Sequence, residues 1–247
     1  MPLTLLVDGG GTLTRRDFQR ELVDQFSLSA MVELGYAATT VGVEDLYMGI
    51  DYFRERFGET TLPIVSANVY DESTGELLVP PYVIVEKAGV RFGITGVMDH
   101  NTNIRTKRGE VESPGVTMSN PKDVLPDVIA ELREKSDHVI LLAHMNLGVA
   151  RDLAENIPPV DFLVVGLQAN PSTKPFDVAN IVFLQPGNRG QYIADYRLSF
   201  DAEGVYQGYD GNVVTLDDKV PSDAAIALQL KEHKQAVETL MKEQAAA

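Results

Sequence analysis

The chain has 247 residues, 44% of them hydrophobic and 23% charged, which excludes a disordered segment and predicts a globular domain with a sizeable core. Its 21 basic residues against 36 acidic ones give a net charge of −15 at pH 7, so nucleic acid and anionic membrane surfaces are unfavourable partners. The sequence contains no cysteine, which excludes disulfides, thiolate zinc sites and cysteine nucleophiles.

The first half of the chain predicts alternating strands and helices. Leu3–Val7 is a short apolar run that ends at Asp8 and three glycines, a pattern typical of a buried strand followed by a loop. Apolar residues at helical spacing predict an amphipathic helix over 17–34, which Gly35 would end. The remaining predicted elements are strands at 38–41, 64–69, 82–86 and 90–97, a helix over 49–57 and a hairpin turn at 88–89.

The second half predicts a β-α-β arrangement followed by a hairpin and a final helix. Asn120 and Pro121 are typical of a helix start, and the helix is expected to run to about Lys135 with a break in its first turn at Pro126. The other predicted elements are strands at 139–143, 162–165, 181–184 and 192–200, a helix over 149–156, a turn at 201–204 and a polar helix from Ser222. This organisation predicts one domain over 1–221 and a linker-like helix over 222–247.

The glycine-rich loop that starts at Asp8 has the sequence Asp-Gly-Gly-Gly-Thr-Leu. Its backbone N–H groups could contact a phosphate, but it lacks the lysine of a P-loop. The loop also resembles the haloacid dehalogenase signature Asp-x-Asp-Gly-Thr-Leu, in which the first Asp is the nucleophile. Gly10 stands where that family has its proton-transferring second Asp, and only the adjacent pair Asp217 and Asp218 offers a distant metal site.

The four histidines are spread along the chain without the spacing of a metal site. His144 closes an apolar strand, so its side chain is expected at the rim of a sheet, where metal or proton chemistry takes place. His138 begins the same strand and is expected at the surface, and His233 is expected to be solvated on the charged final helix. His100 follows Asp99 in a loop and is open to either interpretation.

Seven segments along the chain carry further motifs, among them Leu-Leu-Val-Asp-Gly-Gly-Gly at 5–11, Leu-Pro-Ile-Val-Ser-Ala-Asn-Val at 62–69 and Leu-Ala-His-Met-Asn-Leu-Gly at 142–148. The others are 34–45, 89–97, 160–166 and 185–201. Taken in this order, the segments resemble the N-terminal metal-binding domain of the 5′-nucleotidase branch of calcineurin-like metallophosphoesterases. The resemblance implies an α/β fold with two packed β-sheets flanked by helices, a four-layer α/β/β/α sandwich, in which the family's first strand is missing.

The same resemblance implies that the metal ligands are degenerate. Family members hold two metal ions through an Asp-x-His on the first strand, an Asp, an Asn and three later histidines. Of these positions only His144 keeps a ligand of the family type. The degenerate ligand positions are Gly11, Val43, Glu44, Leu167 and Ala169. Gly, Val, Leu and Ala have no side-chain donor atom, so the family's two-metal site cannot be assembled from them.

Two functions follow from this comparison. The first is a catalytically degenerate protein, a pseudoenzyme without a cofactor, that serves as a binding or assembly subunit through protein–protein interaction. The alternative is a remodelled metal-dependent phosphoester hydrolase with a single divalent ion, Mn²⁺, Zn²⁺ or Ca²⁺. The residues assigned to that single-metal site are His144, Glu44, Asp45 and Asp8.

The expected partner is another protein. Some relatives with acids in place of the Asn-His pair are associated with extracytoplasmic electron-transfer proteins, so Glu44 and Asp45 indicate such a partner and an extracytoplasmic location. No apolar run approaches the roughly 20 residues of a membrane-spanning helix, and the first residues carry no secretory signal, so membrane insertion is not expected. A further hypothesis is that another polypeptide supplies the missing first strand, because an unpaired sheet edge invites pairing.

Overall fold

The computed structural model describes residues 4–15, 19–106, 113–167, 170–201, 203 and 205–246. It contains five α-helices, thirteen strands and a 3-10 turn at Glu44–Leu46 within those ranges. The helices are α1 (Arg20–Glu33), α2 (Gly49–Gly58), α3 (Pro121–Lys135), α4 (Leu147–Ala154) and α5 (Ala224–Ala246). The strands are β1 (Leu6–Val7), β2 (Tyr36–Thr40), β3 (Ile64–Val65), β4 (Val69–Asp71), β5 (Tyr82–Lys87), β6 (Val90–Met98), β7 (Val116–Met118), β8 (His138–His144), β9 (Phe162–Val165), β10 (Phe176–Val178), β11 (Ile181–Leu184), β12 (Tyr192–Phe200) and β13 (Tyr206–Thr215).

The largest sheet has six strands in the order β10-β11-β9-β8-β6-β5. Its four central strands are parallel, and the two edge strands pair antiparallel to them. Every residue of β8 is buried, as expected for a parallel strand that is covered on both faces. Side chains of β8 alternate between two cores: Val139 and Leu141 face one, and Ile140 and Leu142 face the other.

The remaining elements form layers on either side of this sheet. Helices α3 and α4 cover one face. The parallel sheet β1-β2-β3 and the hairpin β12–β13 pack on the other face, and α1 and α2 cover the outer side of β1-β2-β3. The predicted architecture of two packed sheets flanked by helices is therefore confirmed. No helix among the described residues is long and apolar enough to cross a bilayer.

Two local predictions are wrong. The strand expected over 64–69 is divided into β3 and β4, because the buried Asn68 donates to the carbonyls of Met98 and Ser119 and turns the chain out of the first sheet. Helix α3 continues through Pro126. This proline lies early in the helix and removes only the hydrogen bond to the carbonyl four residues before it, while Asn120 caps the helix start by accepting from the N–H of Lys122.

The final helix lies along α1, where the rings of Phe26 and His233 stack with centroids 5.0 Å apart. His233 is half-buried in this contact rather than fully solvated. The N-terminal part of the predicted helix 17–34 is outside the described residues, and α1 is observed from Arg20 to Glu33. The turn at Ala88 and Gly89 is confirmed, with φ angles of 54° and 81° at these residues.

Candidate functional site

The candidate site lies where the carboxyl ends of β1, β2, β8 and β9 meet, which is the edge at which parallel sheets place their binding sites. Three loops approach each other closely there. A methyl group on Gly9 would lie 2.6 Å from the Cα of Gly166, and one on Gly42 would lie 2.2 Å from the amide nitrogen of Gly11. Glycine is needed at these positions because any side chain would force the loops apart.

His144 lies at the centre of this edge and is buried, with 1% of its surface exposed. Its Nδ1 lies 2.8 Å from the carbonyl oxygen of Gly9, and its Nε2 accepts from the N–H of Val43 at 3.2 Å. Because a carbonyl can only accept, Nδ1 carries the proton, and the neutral ring has no free nitrogen. Burial lowers the pKa of His144, although the carbonyl of Gly9 and the carboxylate of Glu44 oppose this effect. His144 therefore links two loops through their backbones.

Asp45 is buried and joins the same two loops from the other side. Its carboxylate accepts three backbone hydrogen bonds, from Gly42 at 2.7 Å, Leu13 at 2.8 Å and Gly11 at 3.1 Å. Burial raises the pKa of Asp45 to about 7, and the three N–H donors act in the opposite direction. These bonds occupy both carboxylate oxygens, so the side chain organises the glycine-rich loop.

Asp8 and Glu44 are the other acids at this edge. Asp8 accepts from the N–H of Gly10 at 2.8 Å and from the hydroxyl of Thr39 at 3.0 Å, and burial raises its pKa. The side chain of Glu44 is one-third exposed, with Oε1 3.2 Å from a guanidinium nitrogen of Arg15 and Oε2 3.8 Å from His144 Nε2. Glu44 is the acid in this group with the most access to solvent.

The positions that the resemblance assigns to metal ligands make other contacts in this structure. A methyl group on Gly11 would lie 2.9 Å from Glu44 Oε2, so the Glu44 carboxylate fills the space in front of Gly11. Val43 contributes its N–H to His144 and packs its side chain into the core beneath α1 and α2. Leu167 is 37% exposed, and Ala169 lies outside the described residues.

The residues His144, Glu44, Asp45 and Asp8, which the sequence assigns to a single-metal site, are brought to one edge of the sheets. Across the part of the chain that the structure describes, no three His, Cys, Asp or Glu side chains are arranged to hold a metal ion. His144 and Asp45 direct their nitrogen and oxygen atoms to backbone groups. The geometry thus favours a structural role for these two side chains.

The other sequence candidates lie elsewhere. His138 is buried, because Phe200 of the hairpin covers it with ring centroids 4.7 Å apart, so the expectation of a surface residue is wrong. Its Nδ1 lies 3.4 Å from Asp161. Asp217 and Asp218 are exposed beyond β13, where Asp217 accepts from the N–H of Lys219 in a turn.

A cleft of about 300 Å³, which the sequence does not indicate, lies beside the candidate site at the ends of β6 and β8. His100 and Asp99 line one side, with 3.9 Å between His100 Nδ1 and Asp99 Oδ1. Lys122 of α3 and Asp152 of α4 form an ion pair of 2.8 Å at the cleft. The ion pair compensates the charges of Lys122 and Asp152, and Asp99 adds a further carboxylate to the lining of the cleft.

No protein-family profile matches the chain. Its relatives in sequence include the 5′-nucleotidase of Vibrio cholerae, 30% identical over 146 residues that make up 58% of this chain and 26% of that protein. Protein UshA of Escherichia coli is 27% identical over the same share of both chains. The chain thus spans about a quarter of the length of these relatives.

Solved structures share the fold over nearly the whole chain. The sulfate thiohydrolase SoxB of Thermus thermophilus superposes with a TM-score of 0.80 over 93% of this chain and 42% of its own, at 19% identity. The calcineurin-like phosphoesterase YfkN of Bacillus subtilis has a TM-score of 0.77 over 96% of this chain and 85% of its own, at 20% identity. The chain therefore has the metallophosphoesterase fold of the N-terminal domain of 5′-nucleotidases, and its homologues are 5′-nucleotidases.

Proposed function

We propose that this chain is a catalytically inactive 5′-nucleotidase-like protein that acts as a binding or assembly subunit for another protein. The observation that carries the proposal is the pairing of both His144 nitrogens with backbone groups. A metal ligand must direct a nitrogen lone pair to the ion, and in His144 that lone pair already accepts the N–H of Val43.

A second line of support is the lack of room for a replacement ligand. The Glu44 carboxylate fills the space in front of Gly11. The carboxylate of Asp45 accepts hydrogen bonds from three backbone N–H groups. A single ion on these residues would have to break several buried hydrogen bonds, each of which contributes about 1 kcal/mol. This cost disfavours the alternative of a rebuilt single-metal hydrolase, although all four of its residues lie at one edge.

Isothermal titration of the metal-stripped chain with Mn²⁺ and Zn²⁺ tests the proposal, together with an assay for phosphate release from 5′-AMP. We expect no saturable metal binding and no activity above the buffer rate. The matched control is Glu44→Gln, which removes the most accessible acid of the site without disturbing the His144 pairs. Tight metal binding with phosphate release, lost in Glu44→Gln, would overturn the proposal and favour the hydrolase.

A further inference from the structure

The cleft at the ends of β6 and β8 is lined by apolar side chains on one part of its surface and by polar ones on the other. Its apolar wall consists of Met145 and Leu153, which are buried, and Val149, which is partly buried. The volume of about 300 Å³ lies at the lower end of the range that small-molecule sites occupy, about 300–1,000 Å³. The cleft therefore has room for a ligand of few atoms with an apolar part.

Asp99 supplies the cleft with a carboxylate that has little contact with solvent. Its side chain is 15% exposed, and Oδ1 accepts from the N–H of Asn101 at 3.0 Å. His100 Nδ1 lies 3.9 Å from the same oxygen, which is beyond hydrogen-bond distance. Within the described part of the chain, Oδ2 accepts no hydrogen bond, and the carboxylate forms no ion pair with a lysine or arginine. Because a carboxylate withdrawn from water is stabilised by a charged donor, Oδ2 is available to a cation.

The remaining charges at the cleft do not supply that cation. Lys122 Nζ lies 2.8 Å from Oδ2 of Asp152, so its ammonium is already paired with another carboxylate. The lining thus carries two carboxylates, one ammonium and one imidazole. When the histidine is neutral, one negative charge is in excess, and it belongs to Asp99.

The start of α3 at the cleft offers an anion no backbone donor. Pro121 has no N–H, and the N–H groups of Lys122 and Asp123 donate to the side-chain oxygen and to the carbonyl of Asn120. A helix start attracts anions through such N–H groups, and these are already used. The cleft therefore favours a cation over an anion.

The free oxygen also indicates the kind of cation. A guanidinium prefers to bind both oxygens of a carboxylate, and Asp99 Oδ1 is already taken by Asn101. A metal ion needs several protein ligands, and no three His, Cys, Asp or Glu side chains of the described residues converge to supply them. An ammonium is a compact charge that one carboxylate oxygen can bind, and a carbon chain attached to it suits the apolar wall.

We propose that this cleft binds a primary alkylammonium group. The ammonium donates to Oδ2 of Asp99, and the attached carbon chain lies along the apolar wall. Two sources carry this chemistry, a free small amine and the lysine side chain of another protein, and the test distinguishes them. The inference goes beyond the proposed inactive role, because it depends on the cleft and not on the state of His144.

The test is a titration of the ¹⁵N-labelled full chain with pentylammonium chloride at about pH 8, where an alkylamine stays protonated. It is followed by the amide resonances of 99–101 and of Lys122. We expect saturable shifts with a dissociation constant on the order of 1 mM, as for other ligands of few atoms. Methylammonium, which lacks the chain, and 1-pentanol, which lacks the charge, should each bind at least fivefold more weakly. Equal binding of either compound would overturn the inference.

Three variants test the residues. Asp99→Asn should weaken pentylammonium binding at least tenfold. Its matched control is Asp217→Asn, which removes an exposed acid beyond β13, changes the net charge equally and should leave binding unchanged. Lys122→Gln removes the ammonium at the cleft and leaves Asp152 uncompensated, so it should strengthen binding about threefold or more. No saturable shifts in the parent chain, equal weakening by the two Asp→Asn changes, or weaker binding in Lys122→Gln would refute the inference.

A peptide with blocked ends and the sequence Gly-Gly-Lys-Gly-Gly separates the two sources of the ammonium. Tighter binding of this peptide than of pentylammonium, at the same resonances, supports a lysine side chain of another protein. Binding of pentylammonium without binding of the peptide supports a free amine. Equal binding of a peptide with norleucine in place of lysine would overturn the inference, because that side chain has no charge. None of these results affects the metal and phosphate assays that test the inactive role.

Discussion

His144→Ala distinguishes a structural histidine from a metal ligand. In the parent chain, His144 pairs with the carbonyl of Gly9 and the N–H of Val43, and both groups are withdrawn from solvent. Truncation leaves each of them unpaired at a cost of about 1–3 kcal/mol, and it also removes the packing of a ring that is 1% exposed. We expect a loss of at least about 3 kcal/mol in the free energy of unfolding, which corresponds to roughly 6–12 °C in Tm for a chain of this size.

The assay is urea unfolding followed by circular dichroism, with Tm from thermal scans. His144→Asn should recover part of the loss, because its amide group can occupy the position of Nδ1 and pair with Gly9 but cannot reach Val43. His100→Ala is the matched control, since His100 is one-third exposed beside the neighbouring cleft, and it should change stability by less than about 0.5 kcal/mol.

Two outcomes would refute this reasoning. The first is a His144→Ala chain whose stability lies within about 0.5 kcal/mol of the parent, because a ring with two buried backbone partners cannot be removed without cost. The second is a parent Tm that rises on addition of Mn²⁺ or Zn²⁺ while that of His144→Ala does not. Stabilisation by ligand occurs only when the folded state binds it, so this result would place a metal at His144.

Three further predictions concern neighbouring features. In urea unfolding, Gly11→Ala should lower the free energy of unfolding by about 1 kcal/mol more than Gly35→Ala. Both glycines have a positive φ, but only a methyl group on Gly11 would meet Glu44. Equal losses in the two variants would contradict close contact between Gly11 and Glu44. The pKa of Asp45 is about 7 in the folded chain, against an ordinary value of 3.8. The protonated side chain therefore stabilises the folded state below pH 3.8, and this contribution to the free energy of unfolding is lost as the pH rises through about 7. The difference in unfolding free energy between the parent and Asp45→Asn should therefore fall by up to about 4 kcal/mol across that window, and a constant difference would contradict the pKa shift. Pro126→Ala restores a helical N–H and should raise Tm by about 2–4 °C in a thermal scan, with an unchanged or lower Tm as the opposing result.

The architecture could be predicted from the sequence where the signals are local. The apolar runs of β8 and β9, the turn at Ala88 and Gly89, and the capped start of α3 at Asn120 each follow from a few adjacent residues. The pairing of β4 with β7 could not be predicted, because three-residue strands carry little pattern and their pairing depends on distant partners. Burial of His138 likewise depends on the hairpin that covers it.

The candidate site was only partly predictable for a related reason. Sequence placed His144, Glu44, Asp45 and Asp8 as a group, and the structure brings them to one edge of the sheets. No sequence pattern indicated the hydrogen-bond partners of His144, because they are backbone groups 135 and 101 residues away in the chain. Any residue type supplies a carbonyl and every residue except proline an N–H, so such pairs leave no pattern in the side chains.

The close packing of the loops predicts that introducing a single ligand at Gly11 would not create a metal site. A methyl group on Gly10 would lie 2.7 Å from the carbonyl oxygen of Thr40, and one on Gly42 would lie 2.7 Å from Cε1 of His144. The backbone therefore occupies space around the imidazole that an ion and its bound water would require. An Asp introduced at Gly11 would meet Glu44 and a histidine whose nitrogens are already paired. Because these contacts support one another, a metal site at this edge would require changes in several loops together, and Gly11→Asp alone should show no Mn²⁺ binding in calorimetry.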